Sequence, residues 1–69
     1  MSGQTLGNHM KTLRTEAGLT QAELGAAVGV TRKTINTVEN GVFTPSALLA
    51  LKIAQVLGKP VEEVFYIQS

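Results

Sequence analysis

With 69 residues, a formal net charge of +1 and no cysteine, the chain has room for one domain and excludes disulfide or thiolate–metal stapling. A domain this short buries only about 60% of its unfolded surface, so a well-packed helical core or a partner subunit must supply its stability. The longest apolar stretch, Ala47 to Leu51, ends at Lys52, far short of the ~20 residues of a membrane span; no segment reads as a signal peptide, and a cytoplasmic protein is expected.

In chain order, Met1 to Gly7 is polar and glycine-rich and is expected to be flexible or a short strand. The punctuation that follows predicts about five helices. The first covers Asn8 to Ala17, where Met10, Leu13 and Ala17 form an apolar face. Gly18 stops it, in a position where glycine adopts the left-handed conformation freely. Thr20-x-x-Glu23 is a capping box and opens a second helix, Gln21 to Val28, which ends at Gly29. Thr31 caps the third helix, Arg32 to Asn40, with Ile35 and Val38 inward and Asn40-Gly41 as its exit.

Thr44-Pro45 restarts the chain. Proline at the first helical position loses no hydrogen bond, so the fourth helix is expected to run from Pro45 to Leu57 and to stop at Gly58. A short fifth helix covers Pro60 to Val64. The apolar, partly β-branched tail Val64-Phe65-Tyr66-Ile67 favours a strand. The expected core is Leu13, Leu24, Val28, Ile35, Val38, Leu51, Ala54 and Leu57.

The window Gln21 to Asn40, QAELGAAVGVTRKTINTVEN, carries the chemistry. Two helices joined by a turn of about three or four residues form a helix-turn-helix, whose second helix suits a DNA major groove. Leu24, Val28, Val30, Ile35 and Val38 anchor the pair, Gly25 is small where the helices cross, and Gly29 supplies a positive φ. The remaining third-helix residues, Arg32, Lys33, Thr34, Asn36 and Thr37, are polar. Net charge alone does not point to nucleic acid, but Lys11, Arg14, Arg32 and Lys33 lie in the first half and Glu62 and Glu63 at the far end. Such local asymmetry is enough for a basic face.

The text LRTEAGLTQAELGAAVGVTRKTINTVENG, followed by TPSALLALKIAQVLGKPVEEVF, resembles the Cro/C1-type helix-turn-helix domains of phage repressors and bacterial regulators. The likeness covers Lys11 to Phe65. It implies an all-α, five-helix, lambda-repressor-like domain over residues 8–65, with a short C-terminal tail at 66–69 and room for a small terminal strand pairing. It further implies base-edge contacts from Arg32, Lys33, Asn36 and Thr37, and phosphate contacts from Gln21, Thr31, Thr34 and Asn40. An ion pair between Arg14 and Glu39 is also implied. The sequence departs from the family at Gly41-Val42-Phe43-Thr44, where members often carry lysine or arginine. It departs again at Ala47, where leucine is usual and where the core is expected to be repacked.

The expected function is a sequence-specific transcriptional repressor that binds an inverted-repeat operator on double-stranded DNA as a homodimer. Leu49, Ile53 and Val56 make a second apolar stripe on the fourth helix. That stripe, with Phe65, Tyr66 and Ile67 adding a strand across the dimer, is the expected interface. The alternative is an antitoxin-like module that holds a protein partner and also autoregulates its operon. His9 stands alone without metal-ligand spacing, and the adjacent Glu62 and Glu63 suit the start of the fifth helix through its dipole. No phosphate loop or nucleophile motif occurs, so no enzyme activity, metal, cofactor or membrane partner is expected.

Overall fold

The capping chemistry divides the chain into short helices, and the helices stack on one core. The computed structural model describes residues 3–69; the expectation for Met1 and Ser2 lies outside them. The order is β1 (Thr5–Asn8), α1 (Met10–Glu16), α2 (Gln21–Val28), α3 (Arg32–Glu39), α4 (Ala47–Leu57), α5 (Val61–Val64) and β2 (Phe65–Gln68). The fold is mostly helical, but it is not purely so. β1 and β2 pair antiparallel in register Leu6 to Ile67 and Gly7 to Tyr66, which joins the two ends of the described chain.

Each helix start has a local cause. Asn8 is the last residue of β1, opposite Phe65, so α1 begins two residues later than the sequence reading places it. The Asn8 side chain accepts from Met10 N–H at 3.0 Å and donates to the Val38 carbonyl at 3.0 Å. It thereby fixes the strand-to-helix bend onto α3. Thr20 and Glu23 form the full capping box: Glu23 N–H donates to Thr20 Oγ1 at 3.0 Å, and Thr20 N–H donates to Glu23 Oε1 at 2.8 Å. Thr31 Oγ1 caps α3 by accepting from Thr34 N–H at 3.2 Å.

The start of α4 requires a correction. Ser46, not Pro45, opens it: Leu49 N–H donates to Ser46 Oγ at 3.1 Å, and Pro45 is buried just before the cap. A hydroxyl that satisfies an orphan first-turn N–H outweighs the preference of proline for the first helical position.

The core comprises Met10, Leu24, Val28, Ile35, Val38, Ile53, Ala54, Leu57, Val64 and Phe65, with Leu13 partly buried against it. Three expectations change. On α1, Arg14 is turned inward with Met10 while Ala17 is exposed. On α4, Leu51 is 56% exposed and Ile53 is fully buried, the reverse of the expected assignment; Leu49 and Ala50 are half-buried and Leu48 is exposed, so Leu48 does not replace the usual leucine in the core. In the tail, Phe65 belongs to this chain's own core, so neither Ile53 nor Phe65 is available to a partner. The strand partner of β2 is the chain's own β1. Among the described residues, no helix is long and apolar enough to cross a membrane.

Candidate nucleic-acid interface

The site is built on the corner between α2 and α3. Gly29 takes φ +82° at the end of α2, a conformation that strains any residue with a Cβ. A Cβ on Gly25 would lie 2.7 Å from the Val30 carbonyl oxygen and 3.2 Å from Thr31 backbone atoms. Glycine at that position therefore lets the turn fold flat against α2, and α3 leaves at a fixed angle. Ile35 and Val38 lock one side of α3 into the core, so its polar side must face outward.

That outward side carries Arg32 and Lys33, both exposed at the N-terminal end, followed by half-buried Asn36 and Thr37. Among the described residues neither Arg32 nor Lys33 forms an ion pair. The short polar groups are tied down more closely. Thr31 Oγ1 and Thr34 Oγ1 lie 3.1 Å apart, Thr37 Oγ1 donates to the Thr34 carbonyl at 2.8 Å, and Asn40 Nδ2 donates to Asn36 Oδ1 at 3.1 Å. Arg32 and Lys33 thus combine charge, reach and uncommitted donors, whereas Asn36 and Asn40 present a coupled pair.

Behind this face lies a buried polar cluster. Arg14 Nε donates to Glu39 Oε2 at 2.7 Å, with side-chain exposures of 10% and 4%. Arg14 Nη2 reaches Glu39 Oε1 at 3.3 Å, and Nη1 donates to the Leu19 carbonyl at 2.8 Å. Gln21 Nε2 completes it with a bond to Glu39 Oε1 at 3.0 Å. The family resemblance implies a phosphate partner for Gln21 and gives no sign of this contact with Glu39. The cluster joins α1, the start of α2 and the end of α3, so it sets the tilt of α3 as well as its depth. Because Arg14 is committed to Glu39, the cationic character of the face rests on Arg32 and Lys33.

Two features escaped the sequence reading. Val42 and Phe43 in the turn after α3 are exposed and line a groove with Lys33, Thr34 and Thr37. The outward face of α4 carries Leu48 and Leu51. The signal for the second was present: Lys52 and Gln55 are the only polar residues of α4, and Leu48 and Leu51 each lie four residues before one of them, on the same face.

Paired helices across a glycine turn, with an apolar back and a polar, cationic front on the second, define a DNA-binding helix-turn-helix domain. The helix-turn-helix family model matches residues 10–64. A Bacillus subtilis HTH-type transcriptional regulator, YgzD, is 44% identical over 62 residues, spanning 90% of this chain and 94% of that protein. An HTH-type regulator from Methanothermobacter thermautotrophicus is 48% identical over 65 residues, spanning 87% of this chain and 94% of the relative. Among solved structures, the restriction-modification controller protein C.AhdI from Aeromonas hydrophila superposes with a TM-score of 0.74 at 33% identity, over 78% of each chain. The transcriptional regulator VanUg shares the fold, with a TM-score of 0.80 at 19% identity, over 99% of this chain and 91% of its own. The chain belongs to the Cro/C1-type helix-turn-helix family of DNA-binding transcriptional regulators.

Proposed function

We propose that the protein is a sequence-specific repressor that binds an inverted-repeat operator as a homodimer, with α3 in the major groove. One observation carries the reading: the Ile35–Val38 side of α3 is locked in the core while Arg32 and Lys33 project from its N-terminal end. That end of a recognition helix meets base edges. Arginine binds guanine O6 and N7 through two parallel bonds, and lysine can use the same atoms or a phosphate. Asn36 and Thr37 lie one turn further along the same face and complete the reading surface. Thr31, Thr34 and Asn40 flank it as phosphate donors. The Gln21 amide has two hydrogens; Glu39 takes one, which holds the side chain still, and the second serves a phosphate.

The dimer surface differs from the sequence-based expectation because Ile53 and Phe65 are buried within the chain. Among the described residues, Leu48, Leu51 and Val56 on α4, with Tyr66 and Ile67 on β2, are the large apolar residues left exposed outside the turn after α3. Large exposed apolar groups gathered on one helix favour a protein contact, and a second copy would supply the stability that a 69-residue domain finds hard to gain alone. Two copies related by a two-fold axis would place their α3 helices in successive major grooves, about 34 Å apart. Seated there, the pair represses by occupying DNA that transcription requires. The same α4 face also supports a second reading, in which it holds an antitoxin-like module's protein partner.

Selection of bound duplexes from a random DNA pool, combined with sedimentation of the protein alone at tens of micromolar, tests the proposal. The expected result is an inverted-repeat consensus and a dimer. A single unrepeated half-site bound by a monomer would overturn the dimeric part. A stable complex with a different co-purifying protein through Leu48 and Leu51 would favour the second reading.

A further inference from the structure

The turn after α3 places two apolar side chains beside the polar face of that helix. Val42 is 78% exposed and Phe43 is 48% exposed, and neither belongs to the core. Their backbone N–H groups both donate to the Thr37 carbonyl, at 2.9 and 3.2 Å, after a reversal at Gly41 with φ +74°. The turn therefore folds back along α3 and encloses a groove of about 350 Å³ lined by Lys33, Thr34, Thr37, Val42 and Phe43. Gln21 is tied to the end of α3 through Glu39, at a place separate from this groove. Gln21 thus makes one border of α3 polar, and Val42 and Phe43 make another apolar.

A B-form major groove is about 12 Å wide, and a helix with its side chains measures about 10–12 Å across. A helix lying in that groove brings its borders against both walls, and each wall is a sugar–phosphate backbone. The N-terminal end of α3 points to the bases, so the turn beyond its C-terminal end lies at the rim, where the backbone runs. The deoxyribose ring offers C–H surface and the phosphate offers charged oxygens. Val42 and Phe43 match the first, and Lys33 in the same groove reaches the second. We propose that Val42 and Phe43 pack against the deoxyribose rings of one strand and form a clamp that is independent of base sequence and insensitive to salt. This inference rests on α3 occupying the major groove.

The test uses the full chain and the duplex it selects from a random pool, with single-base variants of that duplex and a copy carrying uracil for thymine. Val42→Ser and Phe43→Ser alter exposed positions, and thermal melting checks that each variant folds. Each is expected to weaken binding about 3- to 30-fold, the range for partly burying one apolar side chain. The factor should be the same for every base variant and for the uracil duplex, with the salt slope unchanged. Val42→Lys should steepen the salt slope by about one per bound chain, because it brings a cation to the adjoining phosphate.

Unchanged affinity in both serine variants, or an unchanged slope in Val42→Lys, overturns the proposal. A loss that disappears on the uracil duplex also overturns it, because it assigns the contact to thymine methyl groups. Arg32→Ala separates the two levels. If it relaxes preference at one base while the serine variants bind like the parent, the clamp alone fails. If it leaves every base preference intact, base reading by Arg32 at the N-terminal end of α3 fails, whatever the serine variants show.

Discussion

The α2–α3 corner and the α4–tail region differ in how strongly their sequences specify their packing. In α3 the apolar positions are few and the polar ones charged or hydrogen-bonding, so only one orientation buries Ile35 and Val38 without burying Arg32 or Lys33. In α4 almost every residue is apolar, and two different stripes satisfy the helical period. A strongly amphipathic helix chooses its face by itself; a uniformly apolar one has its face chosen by its neighbours. Here the neighbours are α2 and α5, and they select the face with Ile53, Ala54 and Leu57.

Breaking the polar cluster at the corner should produce the largest effect. Glu39→Ala leaves the Arg14 guanidinium nearly buried without its carboxylate, and loss of one member of a buried pair costs about 3–5 kcal/mol. Chemical denaturation of the parent and variant measures it. A loss below about 1 kcal/mol would mean that the pair behaves as a surface contact and does not set the α3 tilt.

The α4 assignment is sharpened by two neighbouring substitutions. Ile53→Ala should cost about 2–5 kcal/mol, as for other buried isoleucines. Leu51→Ala should stay within about 0.5 kcal/mol in the monomer, as expected for a surface site. Equal costs at low protein concentration would show that both faces of α4 are covered within one chain. A Leu51→Ala cost that grows with protein concentration would locate the dimer contact on that face.

At the turn, Gly25→Ala forces a methyl group to within 2.7 Å of the Val30 carbonyl oxygen. Backbone cannot swing away as a side chain would, so overpacking of about 1–3 kcal/mol is expected, together with weaker DNA binding as α3 tilts. A variant of parental stability and affinity would show that the turn is not tightly packed. Smaller than the effect of Gly25→Ala is that of Thr20→Ala, which removes the cap of α2 and should cost about 1 kcal/mol. It should leave base preference untouched, a result that the denaturation midpoint and a binding assay read together.

Much of the corner was legible in the sequence because its signals are local. Thr20-x-x-Glu23 marked the start of α2, Gly29 its end and Thr31 the start of α3, and in each case the atoms that satisfy the backbone lie within four residues. The remaining features depend on distant partners. The start of α4 is the exception, because two local signals, Pro45 and Ser46, compete for it and a hydrogen bond from Leu49 N–H, three residues on, decides between them. The strand pairing depends on Thr5–Asn8, a short polar segment with a glycine that shows no strand pattern until Phe65–Gln68 lies beside it. The contact of Gln21 with Glu39 needs α2 and α3 already docked, so neither the local sequence nor the phosphate role implied by the family resemblance marks this protein acceptor. The family resemblance brought together Arg14 and Glu39, residues that local spacing alone would not have paired.

Reading of DNA from the N-terminal end of α3 is tested most directly by Arg32→Ala. The measurement is the affinity of parent and variant, at one salt concentration, for the selected operator and for each of its single-base variants. The expected result is a loss of roughly 1–3 kcal/mol per half-site on the operator and a loss of discrimination at one base position only. If Arg32→Ala instead lowers affinity for every duplex by the same factor, Arg32 holds a phosphate and the reading of α3 is contradicted.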